Sequence, residues 1–101
     1  MAGYIVKVER KYKDWIAKKS VLDGKPIYEI FEKILFPHYQ ECFMNETIRK
    51  ITLSNDTSQL PLSRDFGKIL RLEAIEKKSN VVSLVNMVFQ VYLEKETGEG
   101  I

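Results

Sequence analysis

The chain has 101 residues, 45% of them hydrophobic, 11% aromatic and 30% charged, which is one domain's worth of sequence with enough apolar material to close a single core. Its 16 Lys and Arg against 14 Asp and Glu leave a net charge of +2, so total charge announces neither nucleic acid nor a membrane surface. One cysteine, Cys42, and one histidine, His38, exclude an internal disulfide and a Cys/His zinc site, and point to a reducing, cytoplasmic setting.

The opening residues MAGYIVKVERKYKDW carry charges from Lys7 onward, unlike a signal peptide or a membrane span. Tyr4 to Val8 is β-prone, while Val8, Tyr12, Trp15, Ile16 and Lys19 sit at helical spacing, so a strand and a helical reading both stand, and a short strand entering a basic helix would combine them. Asp23-Gly24-Lys25-Pro26 reads as a turn, with proline near a helix start. Ile27, Ile30, Phe31, Ile34 and Leu35 then follow an i, i+3, i+4 pattern, an amphipathic helix. Pro37 is expected to end or kink it, with a further helical segment toward Phe43. Asn45 is a candidate cap for a short helix through Leu53, and the Ser54 to Ser58 cluster reads as a loop. Ser63 is a candidate N-cap for a helix whose inner face is Phe66, Ile69 and Leu70.

Residues 81–94 support two readings. As a strand, Val85, Met87, Phe89, Val91 and Leu93 share a face; as a helix, Ser83, Asn86, Gln90 and Glu94 form a narrow polar stripe. The density of valine favours the strand, with Leu70 to Ile75 as its hairpin partner and Lys77-Lys78-Ser79-Asn80 as the turn. No internal repeat or low-complexity tract is legible, and residues 1–3 and 96–101 are expected to fray from a single domain.

Charge is uneven along the chain. Residues 1–25 hold seven Lys/Arg against three Asp/Glu, and residues 63–80 hold five against three; between them, residues 26–62 hold three against five. Helices leading into a hairpin with a basic tip resemble the winged helix-turn-helix, an α+β DNA-binding architecture. The most suggestive run is Leu62-Ser63-Arg64-Asp65-Phe66-Gly67-Lys68-Ile69-Leu70-Arg71-Leu72-Glu73, similar to a recognition helix. The Lys- and Ile-rich composition and the wing-like hairpin also resemble the small winged-helix accessory proteins of conjugative plasmids, which bind near a transfer origin. The C-terminal half resembles a ribbon-helix-helix protein as well, with Thr57 to Leu62 as the ribbon, Ser63 to Lys78 as the first helix and Val82 to Leu93 as the second. Pro61 speaks against that alternative, because a central ribbon residue is expected to donate an amide hydrogen.

These resemblances imply a homodimer that binds double-stranded DNA at a repeated or palindromic site, as a transfer accessory factor or transcription regulator working with other DNA-processing proteins. Arg64, Lys68 and Arg71 are the candidate base readers, and Lys77, Lys78, Ser79 and Asn80 the candidate backbone contacts. Arg49 and Lys50 take the reading role if the recognition helix lies upstream. Arg10, Lys11, Lys13, Lys18 and Lys19 extend the basic footprint, with Tyr12 and Trp15 as stacking surface or, more simply, core. His38 reads as an ordinary helix-start residue and Cys42 as a small buried hydrophobe. The chain carries no phosphate-binding glycine loop and no nucleophile beside a histidine, so neither catalysis nor a cofactor is expected. The rival to DNA binding is a phage- or plasmid-encoded inhibitor that uses the acidic middle and the aromatics Tyr28, Phe31, Phe36, Tyr39 and Phe43 against a host protein.

Overall fold

The computed structural model describes residues 3–42 and 50–97. Strand β1 (Tyr4–Glu9) runs directly into helix α1 (Arg10–Asp23). Helix α2 (Ile27–Ile30) continues through a π-helical stretch, Phe31–Leu35, into α3 (Phe36–Cys42). Strand β2 (Thr57–Leu62) then leads into α4 (Arg64–Glu76) and α5 (Val81–Thr97). The two strands pair antiparallel, with Tyr4 opposite Leu62 and Glu9 opposite Thr57. The fold is α+β: helices packed against one face of a two-stranded sheet.

The chain traverses the same β-α-α path twice. Arg10 and Arg64 open the first helices, and Ile27 and Val81 open the second, each pair 54 positions apart. Val6 pairs with Leu60, its own counterpart at that spacing, so the approximate two-fold axis runs through this pair. The repeat was not legible in the sequence because it preserves buried positions rather than residue identities. Ile16 matches Leu70, Ile30 matches Leu84 and Phe31 matches Val85, all fully buried. Beyond the π-helical stretch the spacing drops to 53, matching Phe36 with Phe89 and Tyr39 with Tyr92. One extra residue in the first unit is thus absorbed by the wider π turn, a common way to accommodate an insertion within a helix. The same turn precedes Pro37, which continues in α3 instead of ending the helix.

Packing crosses between the units. The Tyr12 ring of α1 stacks on Phe89 of α5 at 5.1 Å, and Phe66 of α4 meets Phe36 of α3 edge-on at the same distance. The first helix of each unit therefore rests on the second helix of the other. Polar contacts follow the same rule. The Glu9 amide at the start of α1 donates to Asn86 Oδ1 (3.0 Å), while the Ser63 amide at the start of α4 donates to Glu32 Oε2 (2.9 Å). The aromatics Phe31, Phe36 and Tyr39 lie in the core, and of the proposed partner-binding set only Tyr28 is exposed among the described residues. Phe43 lies outside them.

Several expectations are corrected. Residues 81–94 are helix, not strand, and Leu70 to Ile75 belongs to α4, so the C-terminal hairpin wing is not formed. Burial overrides the β-propensity of the valines. Leu84, Val85, Val88, Phe89 and Tyr92 recur at helical spacing toward the core; of the polar stripe, Ser83 and Asn86 are also turned inward, while Gln90 and Glu94 are exposed. Ser83 accepts from the Ile51 amide (2.7 Å), and Asn86 donates to the Lys7 and Val82 carbonyls (3.2 and 2.7 Å). Thr57 and Ser58 belong to β2 rather than to a loop, and residues 50–53 are not helical. The proposed cap Asn45 lies outside the described residues. The strand at Thr57–Leu62 and the two helices after it follow the element order of the ribbon-helix-helix alternative, although the strand pairs within its own chain. Pro61 is compatible with this pairing. The bond from the Arg10 amide to the Asp56 carbonyl (3.0 Å) continues the strand register. Alternation from that bond makes Ile5–Pro61 a non-hydrogen-bonded pair, in which the nitrogen of Pro61 points away from β1.

Candidate nucleic-acid interface

A two-stranded ribbon covered on one side by helices has one face left for solvent. Along β1, Val6 and Val8 point into the core and Ile5 and Lys7 point out. Along β2, Leu60 and Leu62 point in, and Gln59 and the half-buried Pro61 point out. The register sets Lys7 directly opposite Gln59 and Ile5 directly opposite Pro61. Both are non-hydrogen-bonded pairs, the closer kind, so each pair of side chains leaves the sheet as neighbours. At the far end Glu9 turns aside: its carboxylate accepts from the Ser54 hydroxyl (2.6 Å) and amide (2.9 Å). These two bonds hold its pKa below the usual carboxylate value.

Cations flank the ribbon. Lys13 of α1 joins Ile5, Ser58, Gln59 and Pro61 around an open groove of about 460 Å³. Arg64, Lys68 and Arg71 occupy one exposed stripe of α4, at i, i+4 and i+7. That stripe borders the start of β1. A Cβ on Gly3 would come within 2.9 Å of the Arg64 Cβ, and the Arg71 guanidinium lies 5.6 Å from the Tyr4 ring centre. Tyr4 in turn packs so closely on Gly67 that a Cβ there would meet its ring at 2.7 Å, which explains a glycine in the middle of α4.

The other candidates are placed differently. Lys77, Lys78, Ser79 and Asn80 form the turn between α4 and α5, not the tip of a hairpin. Lys77 is only 5% exposed and its ammonium lies 3.3 Å from Glu73, so it is committed inward. Glu73 also accepts from the Tyr39 hydroxyl (2.9 Å), and burial together with this carboxylate raises the Tyr39 pKa. Lys78 is exposed at φ 56°, and Asn80 receives the Ser83 amide at the start of α5 (2.8 Å). Lys50 is exposed in the segment before β2; Arg49 lies outside the described residues. Arg10 is held by Asp56 at 2.6 Å. Trp15 leans on Tyr92 at 5.8 Å as part of the packing rather than a separate stacking platform. His38 faces Tyr92 edge-on at 5.7 Å. Cys42 is exposed, not buried, because α3 ends beyond its last core contact at Tyr39.

Lys7 and Gln59 were not singled out in the sequence. Strand alternation was enough to point Lys7 outward, but nothing local shows that Gln59, 52 positions later, stands beside it. No helix among the described residues is long and apolar enough to cross a membrane. Comparison with protein-family models, with curated proteins and with solved structures gives no match.

Proposed function

We propose that this chain binds double-stranded DNA by laying its two-stranded ribbon in the major groove, as a ribbon-helix-helix protein built from one chain. The observation that carries the reading is the outward pair Lys7 and Gln59 on a ribbon assembled from two crossed β-α-α units. B-DNA's major groove admits a two-stranded ribbon. Lysine pairs with guanine O6 and N7, and glutamine pairs with adenine N6 and N7. In this arrangement α4 is not a recognition helix. Arg64, Lys68 and Arg71, together with Lys13 on α1, neutralise phosphates on either side of the ribbon. Lys78 adds to that charge from the interhelical turn.

A homodimer was expected because one small domain covers a short site. Here both ribbon strands come from the same chain, and a second copy on an adjacent site would serve to lengthen the footprint. Transfer-origin accessory and transcription-regulator roles both fit such a binder.

The test is fluorescence anisotropy of a labelled random-sequence duplex titrated with the protein at several salt concentrations. The expected result is binding that weakens linearly in log–log salt, with a slope reduced by about 1 when Lys13 or Lys68 is changed to Ala. No binding at low salt overturns the reading and moves the search to protein partners.

A further inference from the structure

The outward face of the ribbon is chemically different on its two sides, and this bears on what it reads. The axis relating the two units passes through Val6 and Leu60. A face with true two-fold symmetry would therefore repeat Ile5 at position 59 and Lys7 at position 61, where the chain has Gln59 and Pro61. On one side of the axis Ile5 faces Pro61, two apolar groups; on the other Lys7 faces Gln59, a cation and an amide. The flanks differ as well. Beside β1, Tyr4 fills the space over Gly67 with Arg71 against its ring; at the matching place beside β2, Ser58 and Lys13 leave a groove.

We infer that the ribbon selects a non-palindromic duplex, an inference that rests on the DNA-binding reading above. A dimer of identical chains offers the same strand twice and meets repeated half-sites. A ribbon made of two unlike strands in one chain has no such constraint. Under Ile5 and Pro61 the complementary group is the thymine C5-methyl, the apolar feature of the major groove. Under Lys7 and Gln59 the complements are guanine and adenine edges. Because these two side chains are cross-strand neighbours, the edges belong to adjacent base pairs. Lys7, Gln59 and Ile5 are the specificity-determining residues, and the target has an apolar half and a polar half in fixed order.

The experiment is selection of duplexes from a random pool by the intact chain, followed by anisotropy titrations of three duplexes. These are the selected site and two palindromes, each made by repeating one half of it. The expected consensus lacks a dyad, and each palindrome binds roughly tenfold or more weakly, in line with the loss of a matched base pair. Uracil in place of thymine, with the protein unaltered, weakens binding about threefold in the Ile5 half and not in the other, by removal of one methyl. Lys7→Ala and Gln59→Ala abolish base preference at neighbouring positions of the polar half and leave the apolar half's preference intact. Both side chains are exposed, so neither change removes core. A palindromic consensus, or a palindrome that binds as tightly as the selected site, overturns this inference while DNA binding stands. Absence of salt-dependent binding to every duplex overturns both.

Discussion

The amino-terminal unit, β1 to α3, and the carboxy-terminal unit, β2 to α5, follow one path with different side-chain devices. At the end of the first helix Lys19 pairs with Asp23 (3.4 Å); at the matching place Glu73 pairs with Lys77 (3.3 Å), the same bridge with its charges reversed. At the strand-to-helix junctions one unit presents the amide oxygen of Asn86 and the other the carboxylate of Glu32. The left-handed position between helices is Gly24 in the first unit and Lys78 in the second. What the two share is the spacing of buried groups: Ile16 with Leu70, Ile30 with Leu84, Phe36 with Phe89, Tyr39 with Tyr92. The fold therefore depends on where apolar volume falls, and the polar contacts that complete it are interchangeable.

The largest expected effect comes from breaking that shared apolar frame. Phe89 is fully buried in the second unit and packs against the first, stacked on Tyr12 and 5.4 Å from Phe31. Phe89→Ala is expected to cost about 3–5 kcal/mol in urea denaturation. Its counterpart change, Phe36→Ala, removes a ring packed on Phe66 and Tyr39 and falls in the same range. A markedly cheaper Phe36→Ala would mean that the π-helical insertion had loosened the first unit and that the two frames are not equivalent.

The junctions give the next effect. Asn86→Ala leaves the Glu9 amide and the Lys7 carbonyl without their partner along the free edge of β1. Leaving buried polar groups unsatisfied costs about 1–3 kcal/mol. Glu32→Ala removes the bonds to the Ser63 amide and hydroxyl (2.8 Å for the latter), but Glu32 is only half-buried and water can replace it. The expected loss is about 1 kcal/mol, the ordinary net value of such a bond. Equal losses in thermal melts would show that the two junctions are energetically the same despite their chemistry.

The interhelical turns separate the units more finely. Gly24 at φ 66° has nothing within 4 Å of a would-be Cβ, so Gly24→Ala carries only backbone strain, about 1 kcal/mol. Lys78→Gly relieves similar strain at φ 56° but adds freedom to the unfolded chain, so its expected gain is below about 1 kcal/mol. Opposite signs for the two changes, read as shifts in melting temperature, would confirm that the left-handed position is a property of the turn and not of the residue in it.

The same comparison explains what could be read from the sequence. The first unit was legible almost element by element, because its turn carries Gly24 and Pro26 and its strand and helix periods share only Val8. The second was misread at α5, where a valine-rich run satisfies strand alternation and helical burial alike. Only the cross-unit contacts of Phe89 and Tyr92 decide between them. Charge led to the cations of α4 and the following turn but gave no sign that Lys77 is turned inward by Glu73. The ribbon pair was hidden for a different reason: strand alternation is local, and the pairing of Lys7 with Gln59 is not.

The smallest expected effect is one of pH, and it belongs to the first unit alone. Glu9 is held below its ordinary value of 4.5 first by the Ser54 hydroxyl, then by the Ser54 amide, and further by the nearby Lys11. Its counterpart is Ser63, which has no charge to titrate. Because the folded pKa is depressed, the contribution of Glu9 to stability is fully present above 4.5. It is lost as pH falls through the lower, folded value, when the unfolded chain has already taken up its proton. The carboxylate is exposed, so solvent screens the effect and the loss is small. Melting curves recorded from pH 6 down to about pH 3 should therefore fall slightly more steeply for the wild-type chain than for Glu9→Gln, which cannot titrate. Ser54→Ala, which removes the first of the two donors, should bring the wild-type slope close to that of Glu9→Gln. Parallel curves for all three would mean that Ser54 holds the loop to α1 by geometry alone, and that the two junctions differ in shape but not in charge.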